Sequence, residues 1–501
     1  MSEAPKITLN IPLNRVEGDL ELTLEYDGAA VTNSWSSGIM FRGFENMLKG
    51  RAPRDGLVLT PRVCGICGTA HLLAAAKALD MLCGVTIPDN AVLVRHLALL
   101  AEHVQSDIRH GVLMFMQDFL NPAYKTQPFY AEAGLRYEPF RGTSVIKAIQ
   151  ATKKILEIVA IVGGQWPNSS FMVPGGIATT PTFNDMVGCS YIERSFTTWY
   201  EQEILGCSLE RWAAVKIESD LDSWLEEKDN HRNGDLGFFL QCARQAGLDC
   251  IGAGHGNFIS AGLNDISRLS MQTSDGTACL SAGFITKGEK SDFNQARITE
   301  HVAFSRFEGY GSGLHPFEGV TIPSFAQNPD KYSWAKAPRY NDLPAETGPL
   351  AEALVDGAPL FTDLVRRRGP TVFTRELARL TRPARLLPIM KKMIAGIDPR
   401  APFYKTVKDI PDGRAYGLIE ASRGTLGHWI EIQDGAIARY QIVTPTAWNG
   451  SPRDANAIRG PWEEAMLGIS LKDPDNPVEL GHTIRSFDAC LVCAVHVCRK
   501  K

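Results

Sequence analysis

Two pairs of closely spaced cysteines lie near opposite ends of this chain. Cys64 and Cys67 occur in the stretch RVCGICGTAH, and Cys490 and Cys493 occur in DACLVCAVH. The spacing Cys-x-x-Cys puts two sulfur atoms within reach of one metal ion, although it is also found in redox-active dithiols. Together the two pairs supply four soft ligands, which suit zinc, copper(I), iron–sulfur clusters or another soft transition metal.

The distance between the two pairs favours a central metal site over a small metal-binding module. Structural zinc usually takes its ligands from one compact module, whereas 426 positions separate Cys64 from Cys490. A structural zinc site remains an alternative. A thioredoxin-like dithiol is disfavoured, because no small βαβ pattern surrounds either pair. Pairs brought from both ends would form a site that the whole fold encloses.

The elements that must bring these pairs together are mainly helical. Apolar periodicity and strong helix formers predict helices at about 69–83, 91–120, 144–162, 182–228 and 348–396. Alternating apolar and polar residues predict strands within 6–40, at 414–421 and at 428–444. Residues 229–345 contain many glycines and serines and indicate a mixed region.

This pattern predicts a mainly helical α+β fold. We expect a bundle of long helices at about 69–228, small peripheral sheets and an active site buried at the centre. A chain of 501 residues is long enough for about three domains. No stretch has the composition of a free linker, so we expect one interlocked body over 1–501, with its C-terminal metal-binding part at 346–501.

Charge and composition exclude several classes of protein. Lys and Arg total 52 and Asp and Glu total 56, so the net charge is −4, and no dense basic run indicates a nucleic-acid partner. No apolar stretch approaches the roughly 20 residues of a transmembrane helix. The N-terminus also lacks the pattern of a secretory signal. We therefore expect a cytoplasmic protein with no membrane span, whose 11 cysteines are mostly reduced.

The residues around the cysteines resemble the two nickel-binding motifs of the large, catalytic subunit of nickel–iron hydrogenases. Further stretches agree along nearly the whole chain: NRVEGDLEL, FRGFENMLKGRAP, KYSWAKAPRYNDLPAETGPLA, ASRGTLGHWIEI and YQIVTPTAWNGSPRD. The resemblance implies heterolytic splitting of H2 at a nickel–iron centre whose iron carries two cyanides and one carbon monoxide. By position, Cys64 and Cys490 would be terminal nickel ligands, and Cys67 and Cys493 would bridge nickel and iron.

The resemblance also implies roles for residues around the metals. Glu17 would receive a proton from Cys490, and Arg423 would hold a fixed cation above the open nickel–iron position. His71 would hydrogen-bond a bridging sulfur. Taken alone, Glu17 is more typical of a surface or helix-cap carboxylate, and Arg423 could be an ordinary ion-paired arginine. For His71, a core histidine on a helix face fits the sequence as well as the role at the sulfur does.

A magnesium ion is implied near the C-terminus. Its ligands would be Glu45, His496 and the backbone carbonyl of Ile442. Magnesium prefers oxygen ligands and water, so a histidine ligand is unusual chemistry for this ion.

Two departures from the family pattern change the surroundings of Arg423. Ser422 replaces the usual proline before this arginine, and its hydroxyl could donate a hydrogen bond to a cyanide. Ser106 stands where many relatives have an aspartate, and Asp107 follows one position later. The carboxylate partner of Arg423 is therefore open, with Asp488 as a candidate.

The tail favours the hydrogen-sensing, regulatory branch of the family. Only VCRKK follows His496, whereas most family enzymes are made with a longer extension that is cut off after the final histidine. In the regulatory branch, bulky gas-channel side chains slow gas entry, and Ile66 and Met114 occupy such positions here. We therefore expect oxygen tolerance.

Three other functions remain as alternatives. The first is a respiratory uptake hydrogenase, which would be exported only together with a signal-bearing small subunit. A metal-free relative from respiratory complex I is disfavoured, because such proteins lack the paired cysteines. The last is a zinc-stabilised scaffold without catalytic activity.

Electrons from H2 must leave a buried site one at a time, which calls for iron–sulfur clusters. The other seven cysteines are scattered singly and form no cluster motif. The resemblance therefore implies an iron–sulfur small subunit as an obligate partner, in a heterodimer or a dimer of heterodimers. A regulatory form would also contact a signalling histidine kinase.

Overall fold

The computed structural model describes residues 7–490, apart from residues 17, 19, 268–279 and 327. The fold is 46% helical with small sheets, so the predicted mainly helical α+β class is confirmed. The helices of seven or more residues are Gly68–Leu82, Asp89–Arg109, Tyr130–Tyr137, Thr143–Ile155, Glu157–Gly163, Phe183–Trp199, Glu218–Glu227, Asp235–Ala246, Pro349–Val355, Pro359–Arg368, Val372–Gly396 and Val478–Ser486. In this described part of the chain, none of the helices has the length and apolar character that a bilayer span requires.

The Asp89–Arg109 helix lies at the centre of the bundle. All its residues except the two terminal ones are buried, and it packs against the Val372–Gly396 helix. The prediction of one regular helix over 91–120 is wrong, because the backbone changes to a π-helical turn at His110–Phe115 and then to a 3₁₀ turn. Such π turns are rare and are often found at functional sites.

The predicted helix at 182–228 is also divided. The helical run that starts at Phe183 ends at Gly206, whose φ is 69°. This left-handed conformation suits glycine, and a Cβ atom there would collide with the carbonyl oxygen of Asn230. Shorter helices at Leu209–Ala213 and Glu218–Glu227 follow.

Other predicted helical boundaries differ in smaller ways. The predicted helix at 69–83 is confirmed as Gly68–Leu82. The stretch 144–162 forms two helices that meet at Leu156, and the stretch 348–396 forms three helices. The mixed region 229–345 contains three α-helices that were not predicted, Asp229–Asn233, Asp235–Ala246 and Asn264–Ser267, among its described residues.

The strands form small antiparallel sheets. The three-stranded sheets are Ile7–Leu13, Leu20–Tyr26 and Val31–Gly38; Phe258–Ser260, Gly283–Thr286 and Glu289–Ser291; and Gly413–Ala421, Gly424–Gln433 and Ala436–Val443. Two-stranded sheets join Met172–Val173 to Gly176–Ile177, and Ile298–His301 to Ala337–Tyr340. The predicted single strand at 428–444 is therefore two strands, which turn at Asp434 and Gly435, both with positive φ.

Contacts between distant parts of the chain bring its two ends to the centre. The Gly68–Leu82 helix packs on the Gly413–Ala421 strand, where a Cβ atom on Gly417 would collide with the carbonyl oxygen of Ala74. The Val478–Ser486 helix packs on Val372–Gly396. One hydrophobic cluster accordingly draws residues from Phe44 to Cys490. The cluster supports the single body over 1–501, which stays a prediction.

Candidate metal centre

Three cysteine side chains from the two ends of the chain meet in the interior. The sulfur atoms of Cys64, Cys67 and Cys490 lie within 4.8 Å of one another, and all three residues are buried. The Cys64 and Cys490 sulfurs are 3.6 Å apart, well beyond the roughly 2.05 Å of a disulfide bond. Cys493 lies outside the described residues. Three thiolates with at least one further ligand can hold a soft transition metal.

Local structure fixes each of these cysteines. Cys64 follows the 3₁₀ turn Thr60–Arg62, and Cys67 directly precedes the Gly68–Leu82 helix. The backbone N–H of Cys490 donates a 3.0 Å hydrogen bond to the Thr446 hydroxyl. Cys64, Cys67 and Cys490 thus lie on short backbone segments next to regular elements.

A buried carboxylate, which the sequence analysis did not identify, caps the helix after Cys67. Glu102 accepts hydrogen bonds from the backbone N–H groups of Thr69, at 3.0 Å, and Ala70, at 3.2 Å. The first N–H groups of a helix lack partners within the helix, so a carboxylate stabilises them. Burial raises the pKa of Glu102 to about 7. In the sequence, the sole indication of this buried role was an acidic residue within the apolar stretch LLAEHV.

Arg423 pairs with Asp488, which answers the question left open by the sequence. Arg423 Nε donates a 2.9 Å hydrogen bond to Oδ1 of Asp488, and Nη1 of Arg379 lies 3.2 Å from Oδ2. Burial alone would raise the pKa of Asp488, but the neighbouring cations outweigh it, Arg423 most strongly, and lower the pKa to about 2. Asp107 binds Arg382 instead, at 2.7 and 2.8 Å.

Two adjacent residues after the Gly413–Ala421 strand each have a buried polar atom with no hydrogen-bond partner among the described residues. These atoms are the hydroxyl of Ser422 and Nη1 of Arg423. Burial opposes the Arg423 charge, but Asp488 and the three cysteine thiolates outweigh it and raise the pKa of Arg423. Buried polar groups normally find a partner, so the unpartnered Nη1 of Arg423 close to the three cysteines fits a metal centre that carries small hydrogen-bond acceptors such as cyanide.

His71 belongs to a buried chain of three side chains. Its Nδ1 lies 3.0 Å from Nε2 of His428, whose Nδ1 lies 2.8 Å from the Tyr440 hydroxyl. Burial lowers the pKa of His71 to about 4, so the imidazole is neutral at physiological pH. The hydrogen bond to a bridging sulfur stays a prediction.

A cavity of about 170 Å³ adjoins Arg423. Both residues at the predicted gas-channel positions, Ile66 and Met114, line it. The π-helical turn that starts at His110 supplies part of the wall, together with Gln105. The cavity therefore joins the two predicted gas-channel residues to the arginine beside the cysteines.

Glu45 lies in a second buried polar cluster. Its carboxylate accepts hydrogen bonds from the Ile442 backbone N–H, at 2.8 Å, from the Thr321 hydroxyl and from Lys336 Nζ, at 3.3 Å. Lys336 Nζ also lies 3.6 Å from Glu300, a second buried carboxylate. Carboxylate oxygens suit magnesium. His496 and Glu17 lie outside the described residues, so the complete magnesium site and the proton acceptor stay predictions.

Comparison with known proteins agrees with this geometry. The family model of nickel-dependent hydrogenases matches residues 42–132 and 239–496. The periplasmic [NiFeSe] hydrogenase large subunit of Desulfomicrobium baculatum is 31% identical, with 98% of this chain and 95% of the relative covered. The uptake hydrogenase large subunit of Rhodobacter capsulatus is 28% identical, with 97% and 94% covered.

Solved structures show the same fold. The H2-activated [NiFeSe] hydrogenase of Dm. baculatum superposes with a TM-score of 0.82 at 29% identity, over 98% of this chain and 100% of that one. The as-isolated oxidised Ni-Fe-Se hydrogenase of D. vulgaris Hildenborough has a TM-score of 0.82 at 28% identity, with the same coverage. This chain therefore belongs to the nickel-dependent hydrogenase family, as a catalytic large subunit.

Proposed function

We propose that this subunit catalyses reversible H2 oxidation at a nickel–iron centre whose iron carries two cyanides and one carbon monoxide. Cys64, Cys67, Cys490 and Cys493 would hold the metals. The observation that carries this proposal is the meeting of three sulfur atoms from both ends of the chain. When bound, the centre would supply the heterolytic cleavage of H2 into a hydride and a proton.

Residues of this chain would transfer the proton and stabilise the charge that develops during the reaction. The Cys490 thiolate would take the proton and pass it to the Glu17 carboxylate. Arg423, held by Asp488, would keep one fixed positive charge beside the cysteines, where charge develops as H2 splits. The Ser422 hydroxyl, which has no partner among the described residues, would donate a hydrogen bond to a cyanide.

We propose an iron–sulfur small subunit as the electron-transferring partner, in a heterodimer or a dimer of heterodimers. The relatives from Dm. baculatum and R. capsulatus are both named large subunits. Outside the metal centre, the described cysteines do not gather in a group of three or more that could hold a cluster. Electrons would therefore have to leave through another polypeptide.

We also propose a magnesium ion at Glu45, the carbonyl of Ile442 and His496. The Glu45 carboxylate lies beside the backbone of Ile442, whose N–H donates a 2.8 Å hydrogen bond to it, and this proximity of two oxygen-bearing groups supports the site. If so, the Glu45→Gln variant should lose most of its magnesium while its nickel content stays the same.

We also propose that the protein acts as an H2 sensor. In this role it would contact a signalling histidine kinase, tolerate oxygen and be located in the cytoplasm. The cavity lined by Ile66 and Met114 supports restricted gas access. The alternative function as an uptake hydrogenase is supported by sequence similarity, because the relative from R. capsulatus is named an uptake hydrogenase. A kinase whose autophosphorylation responds to H2 only in the presence of this protein would favour the sensor. High turnover with a membrane-bound electron acceptor would favour the uptake enzyme.

Metal analysis combined with infrared spectroscopy of the purified complex tests the central proposal. We expect about one nickel per chain, as a four-thiolate site of this type would bind. The infrared spectrum should show one carbon monoxide band and two cyanide bands. Zinc in place of nickel, without these bands, would leave only the scaffold alternative.

A further inference from the structure

The two unpartnered donors belong to neighbouring residues on one tight turn, and Arg423 of this turn lies close to the three cysteines. Ser422 and Arg423 connect the Gly413–Ala421 strand to the Gly424–Gln433 strand, whose facing residues Ala421 and Gly424 are paired. A turn of two residues has few backbone contacts of its own. The direction of the Ser422 hydroxyl therefore depends on whatever holds the turn from outside.

Arg382 of the Val372–Gly396 helix holds this turn. Its Nη2 donates a 2.6 Å hydrogen bond to the backbone carbonyl of Ser422. Such a short charge-assisted hydrogen bond is roughly twice as strong as a neutral one. Arg382 is almost completely buried, so water does not compete for the contact.

Two carboxylates fix the guanidinium of Arg382 in turn. Nε and Nη2 donate to the two oxygens of Asp107, at 2.8 and 2.7 Å, and Nη1 donates to Glu352 at 3.0 Å. The bidentate pair with Asp107 fixes the plane of the guanidinium as well as its position. This arrangement explains why Asp107 is buried near the site although it does not bind Arg423.

The neighbouring Arg379 contacts a different segment of the chain. Arg379, one helical turn before Arg382, contacts Asp488 at 3.2 Å and the backbone carbonyl of Ser486 at 3.3 Å. It thereby supports the carboxylate that pairs with Arg423. Among the described residues, the hydrogen bond from an arginine to the Ser422 carbonyl comes from Arg382.

We propose that Arg382, oriented by Asp107, is a positioning residue that sets the placement of the Ser422 hydroxyl at the metal centre. The inference rests on the proposed function, because it takes the Ser422 hydroxyl to donate to an iron-bound cyanide. Its consequence is that a change at Arg382 should alter the vibration of that cyanide without removing any ligand of the metals.

Infrared spectroscopy of the purified heterodimer with the Arg382→Lys variant tests this inference. Lysine keeps the charge, but a single ammonium group cannot bind Asp107 bidentately and reach the Ser422 carbonyl as well. We expect unchanged nickel content and a shift of one cyanide band by several wavenumbers, in the direction produced by Ser422→Ala. The double variant should show no further shift beyond that of Ser422→Ala.

Arg95→Lys is the matched control. Arg95 is equally buried and also binds one carboxylate, Asp80, and backbone carbonyls, but these belong to Val173 and Gly176 and not to the turn. We expect a comparable loss of thermal stability with unmoved cyanide bands. If Arg382→Lys fails to assemble, Asp107→Asn serves instead, and it should move the same band in the same direction by a smaller amount.

The infrared results distinguish a failure of the positioning role of Arg382 from a failure of the proposed hydrogenase function. Cyanide bands that are present in the wild type and in the same place in Arg382→Lys, or in Asp107→Asn if it replaces that variant, overturn the positioning role. An additional shift in the double variant also overturns it, because Arg382 would then act by a route other than Ser422. A wild-type complex without cyanide bands overturns the proposed function and this inference with it.

Discussion

The guanidinium of Arg423 donates a 2.9 Å hydrogen bond to Oδ1 of Asp488, two residues before Cys490 of the buried cysteine group. Both side chains are almost fully buried. Asp488 has a positive φ of 55°, a conformation that costs little for aspartate in a turn. A single short segment thus supplies both a thiolate and the carboxylate that orients the arginine beside it.

Replacement of Arg423 by lysine should impair catalysis more than metal binding. Lysine keeps a positive charge, but its single ammonium group cannot replace both arginine donors. Nε of Arg423 binds Asp488 while Nη1 stays available to the site. We expect kcat to fall by roughly 10²–10³-fold, as for the loss of one preorganised donor, with nickel retained. H2 oxidation with an artificial dye and nickel analysis would measure both. Unchanged kcat would argue that Arg423 is an ordinary ion-paired arginine.

Cysteine replacements should separate the metal ligands from other buried thiols. Cys64→Ser should lose nickel and all hydrogenase activity, because serine is a poor ligand for a soft metal. Cys189→Ser is the control, since Cys189 is also buried, and burial raises its pKa to about 12, so its thiol stays protonated. Nickel retained in Cys64→Ser, measured by elemental analysis, would remove Cys64 from the ligand set.

Acid should destabilise the protein through buried neutral histidines. Burial lowers the pKa of His482 to about 4, against about 6.5 in an unfolded chain. Between these values the unfolded state binds more protons, so stability falls as the pH is lowered, by up to about 1.4 kcal/mol per pH unit for this group. His71 and His96, whose pKa values burial also lowers to about 4, should act in the same direction.

The variant His482→Phe tests this pH dependence. His482 packs among the aromatic rings of Phe115, Phe119 and Tyr124, so phenylalanine suits the site and removes the titrating group. Denaturant midpoints at several pH values should decline less steeply below pH 6.5 in this variant. Phe196→Leu, at a buried position of the Phe183–Trp199 helix, alters packing without removing a ring that contacts His482, and it should lower stability equally at every pH. Parallel curves for wild type and His482→Phe would disprove the assignment.

Gas access should respond to the size of the side chain at position 66. Ile66→Ala removes three carbon atoms from the lining of the cavity beside Arg423. We expect inhibition by carbon monoxide and inactivation by O2 to become several-fold faster, measured on an enzyme film at controlled potential. Ile146→Ala, at an exposed position of the Thr143–Ile155 helix, is the control. Equal rates in both variants would place gas entry elsewhere.

Local sequence predicted the elements better than their long-range contacts. The Gly68–Leu82 helix follows from helix-forming residues at helical spacing. The π-helical turn at His110 has no comparable local pattern, because its geometry depends on packing against distant helices. Likewise, the contact between Asp107 and Arg382 joins residues 275 positions apart, and neither neighbourhood indicates it.

The meeting of Cys64, Cys67 and Cys490 could be predicted, because paired cysteines are chemically restrictive and family motifs surround them. Glu102 could not, since an acidic residue within a helix is usually exposed, whereas here it caps the start of another helix. The carboxylate partner of Arg423 was also undecided, because the sequence does not show which distant side chains meet in the fold. Counting from Cys67 placed Ser106 at the position of the expected aspartate, with Asp107 one residue later, and left Asp488 as a candidate. The three-dimensional arrangement shows that Asp107 faces Arg382 and that Asp488 binds Arg423.

The 426 positions between Cys64 and Cys490 have a consequence for biosynthesis. At about 5–20 residues per second, roughly 20–85 seconds pass on the ribosome between translation of the first thiol and translation of its counterpart. During this interval the early cysteines have no late partner, so they must be kept reduced and shielded from competing ions. If all four cysteines hold the metals, nickel can be loaded only after Cys490 has been translated.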